Sequence, residues 1–175
     1  TAYQADAFRC ALFGMLASLL MLTAVLDTAS AHPILVPRPT QTLADRVLLS
    51  DSLVLAREDP ERPFHYAAVQ TLKGDPGNTP IDLLMPSQVR RQLASAPEMA
   101  VLLRRNPKNG EWEPLGVAND DYMQVVRRIL AFADAWTPNE TDNPQRLREF
   151  AALLGNQDIR LHELAYLEIG RATYA

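Results

Sequence analysis

Apolar residues form a nearly unbroken run from Ala11 to Leu26, then alternate with polar ones, then recur at helical spacing. The first stretch of alternation spans Asp45 to Arg57. One face carries Val47, Leu49, Leu53 and Leu55, interrupted by Asp51; the other carries Arg46, Ser50 and Ser52, mixed with Leu48 and Val54. Period two over this length predicts a long strand, bent or bulged near Ser50-Asp51-Ser52. Asp59-Pro60-Glu61-Arg62-Pro63 marks a turn. Phe64 to Lys73 predicts a second strand, with Phe64, Tyr66, Ala68 and Leu72 in phase, and Ile81 to Met85 a short third. Ser87 is placed to cap a short helix running to Ala94, with Val89 and Leu93 on one face. Met99 to Arg105 and Glu111 to Val117 predict the last two strands. Asn109-Gly110 between them is a hairpin signal, and Trp112 is expected to be buried between outward Glu111 and Glu113.

The period then becomes 3.6. Tyr122, Val125, Val126, Ile129, Ala133 and Trp136 share one helical stripe, opposite Gln124, Arg127, Arg128 and Asp134. Asn119 or Asp120 can cap this helix. The polar stretch Thr137 to Asn143 suggests a boundary. Asn143-Pro144 is a cap followed by Pro at the first helical position, and Leu147, Phe150, Ala151 and Leu154 make the next stripe. Asp158 opens a last helix with Leu161, Leu164, Ala165, Ile169 and Ala172 inward. The predicted class is α+β: a small five-stranded antiparallel, barrel-like domain of oligonucleotide/oligosaccharide-binding (OB) or netrin-like type over residues 43–118, or a sandwich in its place. A connecting amphipathic helix over 119–137 and a helical hairpin over 143–175 follow.

The opening segment has the form of an export signal. Arg9 precedes the apolar run, whose helical length would be about 24 Å, short of the roughly twenty residues that span a bilayer. Small residues at Ala29 and Ala31 suit cleavage after Ala31. Residues 1–31 are therefore expected to be a signal peptide, or an N-terminal anchor if retained, and residues 32–42, with Pro33, Pro37 and Pro39, an extended linker. The product is expected to be periplasmic, extracellular or envelope-associated, touching a membrane only if the segment is kept. Cleavage would remove Cys10, the single cysteine, and leave a charge of −3 from 16 basic and 19 acidic residues. One cysteine excludes a disulfide framework and a multi-cysteine zinc site. The mild acidity of the whole chain, −4, argues against a nucleic-acid partner, which needs a clustered basic surface.

The last two helices resemble a HEAT-type repeat. Asp158, Leu161 and Ala165 fall where that repeat places its turn Asp, first buried aliphatic and small packing residue, with His162 where Arg often stands. Together with Lys73-Gly74-Asp75, Trp112-Glu113-Pro114-Leu115-Gly116 and Arg146-Leu147, the order of segments resembles exported bacterial proteins of unassigned function that join a small β domain to HEAT-like helices. The resemblance implies a protein-binding scaffold without catalytic residues or cofactor, and a chain that continues past Ala175, since about three repeats are needed for a stable stack.

Few residues suggest chemistry. His32 would become the N-terminus on cleavage, and its α-amine and imidazole could chelate Cu(II) in a copper-dependent enzyme, given a second ligand from His65 or His162. The sequence contains no G-x-S-x-G, H-E-x-x-H, C-x-x-C, Walker A or G-x-G-x-x-G motif. Asp120-Asp121 and Glu111/Glu113 are carboxylate pairs, more simply read as a helix start and a solvent-facing hairpin. Three arginine pairs, Arg90-Arg91, Arg104-Arg105 and Arg127-Arg128, would hold an anionic glycan if they converged. The leading expectation is a non-enzymatic exported protein that binds a protein partner.

Overall fold

The computed structural model describes residues 40–77 and 80–173. The segment expected to direct export, most of the expected linker and His32 lie outside them. Residues Pro39–Ala175 form one compact unit. Its elements are α1 (Leu43–Leu48), β1 (Ser52–Asp59), β2 (Arg62–Lys73), β3 (Ile81–Asp82), α2 (Ser87–Ser95), β4 (Ala100–Arg105), β5 (Trp112–Ala118), α3 (Asp120–Ala131), α4 (Pro144–Ala151) and α5 (Ile159–Ile169).

The long first strand expected over Asp45 to Arg57 is corrected. Its first half is α1. Thr42 and Asp45 form a capping box, each side chain taking the other's backbone N–H. Leu43, Ala44 and Val47 then fall on one buried side. Six residues make less than two turns, too short to be stable alone and too short for its period to be told from a strand's. Asp51, the apparent defect, is exposed at the corner between α1 and β1. Gly74 is essential there. It has φ +64, and a Cβ on it would lie 2.0 Å from the Asp51 carbonyl oxygen.

The five strands form one antiparallel, curled sheet, a half-barrel, in the order β3-β2-β1-β4-β5. Register shifts along β1–β2 and between Leu102 and Leu103 mark bulges, which bend strands and increase their twist. β3 is shorter than expected. After Asp82 only the Leu83 N–H, donating to the Phe64 carbonyl, continues the pairing, and Met85 is buried before Pro86 opens α2. Ser87 does not cap α2: the cap position is Pro86, which offers no side-chain hydrogen bond.

Both faces of the sheet are covered. Leu53 and Leu102 point into a core shared with α1, α3, Trp136, Phe150 and Leu161, so the strands and the C-terminal helices bury their apolar faces together. Val54, Ala56, Val101 and Leu103 point the other way, into a second core with Tyr66, Ile81 and Met85, against which Val89 and Leu93 of α2 and half-buried Trp112 pack. Asn119 caps α3 by accepting from the Tyr122 N–H, Asn143 caps α4 and Asp158 caps α5. Ala133 and Ala151, expected inward, are exposed.

Gly74→Ala is expected to destabilise the fold by more than about 2 kcal/mol, because it adds both a backbone collision and a strained φ. The change in urea midpoint relative to Gly77→Ala, which meets nothing within 4 Å, checks it.

Candidate functional sites

Three places gather polar or apolar side chains into more than a simple surface. The first is a buried ionic cluster where α1, α4 and α5 meet. Asp45, Arg146 and Glu168 are 0%, 1% and 2% exposed. Arg146 Nη2 lies 2.8 Å from Asp45 Oδ1 and 2.7 Å from Glu168 Oε1. Arg171 Nη1 lies 2.6 Å from Asp45 Oδ2, and its Nη2 lies 3.2 Å from Glu168 Oε1. Arg146 also donates to the Thr42 hydroxyl and the Thr137 carbonyl, and the Asn139 N–H donates to Asp45 Oδ1 at 2.8 Å. Two carboxylates and two guanidiniums cancel. Burial alone would raise the Asp45 pKa, but the bonds from Arg146, Asn139 and Thr42 and the Arg146 charge outweigh it and hold the carboxyl below its ordinary range. Asp45, Arg146 and Glu168 are closed to solvent and bonded mainly to one another and to Arg171, although Arg146 Nε, Arg171 Nε and Glu168 Oε2 find no partner. The cluster organises the fold rather than meeting a ligand.

The second is a groove of about 680 Å³ between α3 and α4. Ile129, Phe132, Trp136, Phe150 and Leu153 line it, with Asp121, Gln124 and the Arg128–Glu149 ion pair at its rim. Phe132 stacks on Trp136 at 5.0 Å between ring centroids, and Phe150 tilts against Trp136 at 6.3 Å. The third is a groove of about 780 Å³ between the β1–β2 turn and α2, lined by Arg57, Arg90 and Arg91 beside Pro60, Pro63 and Met99.

The three arginine pairs do not converge. Arg90 and Arg91 lie on α2, against one face of the sheet. Arg104 is buried on the other face, where its Nη2 lies 2.7 Å from Glu113 Oε2 and its Nη1 donates to the Arg46 carbonyl. Glu113, read from sequence as outward, accepts from Arg104, Asn106 and Arg46. Burial pushes its pKa up, but these donors hold it below the ordinary value. Arg105 is exposed and donates to the Gly110 carbonyl. Arg127 and Arg128 are exposed on α3, Arg128 paired with Glu149. His65 lies on β2 near Asp82, whereas His162 packs against Tyr166 on α5, so the two are not brought together. Among the described residues no three His, Cys, Asp or Glu side chains gather as a metal site, and no helix is long and apolar enough to cross a membrane.

The buried ionic cluster was missed from the sequence because charged residues are rarely buried unless paired. A signal was present: Arg146 stands four residues before Phe150, and Glu168 three after Ala165, both inside apolar stripes. No family model, curated protein or solved structure matches the chain.

Arg146→Met leaves Asp45 and Glu168 buried with one cation fewer and is expected to cost about 3–5 kcal/mol. Acid acts at Asp158 as well. Its carboxylate accepts from Arg160 and Asn119, and the Arg160 bonds, outweighing burial, bring its pKa to about 2. Because the folded value lies below the unfolded one, this contribution is full above the unfolded pKa near 3.8 and is lost as pH falls towards about 2. Urea midpoints between pH 6 and pH 2.5 should fall over that window, and fall less in Asp158→Asn.

Proposed function

We propose that the chain is a non-enzymatic, exported interaction module whose partner is a protein and not a nucleic acid. The observation that carries this reading is the groove between α3 and α4. Its floor is aromatic and aliphatic, its rim is charged, and α3 is twelve residues long, or about 18 Å. An amphipathic helix laid in such a groove buries its apolar face against Phe132 and Leu153 while its polar face meets the rim. The cluster of Asp45, Arg146, Glu168 and Arg171 supports the reading indirectly, because it braces α4 where that helix forms one wall.

We read the half-barrel as OB- or netrin-like. Support comes from the order β3-β2-β1-β4-β5 with α2 inserted between the third and fourth strands, so that only β3 and β5 are left to close a barrel. We read α4 and α5 as HEAT-like, supported by Asp158 capping α5 and by Leu161 and Ala165 buried beneath it. Export rests on the apolar run of residues 11–26 and the small residues before His32. The copper reading rests on His32, which lies outside the described residues, and is not carried further.

Cross-linking and capture with the full-length exported protein is the test. A partner held by the wild type should be lost in Leu153→Lys, which places a charge in the half-buried groove wall, and retained in Val69→Lys, a charge on exposed β2. Loss should reach at least about tenfold, the scale of removing one anchor contact. Equal capture by both variants would sink the groove as the binding surface.

A further inference from the structure

We propose that the groove between the β1–β2 turn and α2 is a binding site for a small ligand bearing a phosphate, sulfate or carboxylate group. Of the thirteen arginines in the described residues, seven are held by carboxylates within 4 Å and six are not, and three of those six, Arg57, Arg90 and Arg91, line this one groove. The two carboxylates that share the groove are engaged elsewhere. Glu58 accepts the Phe64 N–H at 2.8 Å, and Asp59 is paired with Arg62 at 2.8 Å. The Glu58 carboxylate keeps its charge and offsets one guanidinium, so the groove is left with a net positive charge from guanidiniums, whose planar forks match oxyanions with two parallel hydrogen bonds.

The helix that carries Arg90 and Arg91 opens without a cap. The first turn of α2 has no acidic residue, its cap position is Pro86, and no side chain satisfies its first N–H groups. An anion near a helix N-terminus is favourable. Ser87, the first residue of α2, lines the same groove. The backbone under Arg90 is also strained. Phe64 has φ +70, a conformation costly for a bulky residue, held by the Glu58 bond and by the Leu83 N–H on its carbonyl. The guanidinium carbon of Arg90 sits 4.9 Å from the centroid of its ring. This contact fixes a side chain that would otherwise be free, which lowers the entropy lost on binding. At about 780 Å³ the groove falls in the size range of small-molecule sites, and Pro60, Pro63 and Met99 give the uncharged part of a ligand an apolar wall.

Isothermal titration of the full 175-residue chain with inorganic phosphate, inorganic sulfate and a hexuronic-acid oligosaccharide tests the proposal. At least one should bind at a single saturable site. Its affinity should fall at least about tenfold in Arg57→Gln and in Arg90→Gln/Arg91→Gln, the scale of one lost charge-assisted hydrogen bond. It should be unchanged in Arg127→Gln/Arg148→Gln, which removes the same charge elsewhere. Preference for phosphate or sulfate would identify an ester ligand, and preference for the oligosaccharide a carboxylated glycan; either supports the site. The Arg90→Gln/Arg91→Gln variant should also abolish the ligand-induced rise in Tm, which a purely structural role of these arginines would leave in place. No saturable binding of any probe, or equal loss in the control pair, would overturn it.

Discussion

The fold depends on neutralising two carboxylates that it has removed from water. Asp45 sits in the first helix, Glu168 in the last, and both are closed off by the packing of α1, α4 and α5. A buried ion pair adds little stability over an apolar replacement, but it heavily penalises any arrangement that leaves one member alone. Asp45 can be buried only if Arg146 and Arg171 arrive from the far end of the chain, and Arg146 can be buried only between Asp45 and Glu168. Alternative dockings of the C-terminal helices on the sheet leave at least one charge unanswered. The capping box of α1 belongs to the same arrangement, since Asp45 both accepts the Thr42 N–H and receives the two guanidiniums.

With the helices fixed in this way, the sheet is used on both faces for different purposes. The face of Leu53 and Leu102 is taken up with holding α1, α3 and the C-terminal pair, and the groove between α3 and α4 is a by-product of how those helices splay. The face of Val54 and Leu103 holds only α2 and the turn region, and its groove carries charge instead of aromatic surface. Arg104 and Glu113 show how polar residues are absorbed when they fall on the first face: they pair with each other, Arg104 donates to the Arg46 carbonyl, and Glu113 accepts from the Arg46 and Asn106 side chains.

Most strands and all helices after β5 were legible because each carries several turns or alternations and a recognisable boundary: Asn119, Asn143-Pro144 and Asp158 all cap as the residue types suggest. Failures came where the signal was shorter than its period. α1 has six residues, and its apolar positions fit two periods equally; only the spacing of Thr42 and Asp45 distinguished them. Charge assignments failed for a different reason. Arg146 and Glu168 are buried, and Glu113 half-buried, through partners distant in sequence, and a local pattern assigns every charge to solvent. Of the arginine pairs, adjacency in sequence was the misleading part: in a strand, neighbours point to opposite faces, so Arg104 and Arg105 could never have acted together. Arg57, which joins Arg90 and Arg91, has no sequence feature that marks it.

The contact between Asp45 and Arg171 closes a loop of 126 residues. A nascent chain emerges from its N-terminus, so α1 and the whole sheet are made before the cation that completes their cap exists. Closing so long a loop late makes the final step slow relative to local hairpin formation. A chain interrupted before α5 would keep the Asp45–Arg146 pair but lose Glu168 and Arg171, and with them the packing that shuts the pair off from water. Commitment to the native state therefore waits until α5 has been made, and everything before it stays open to rearrangement.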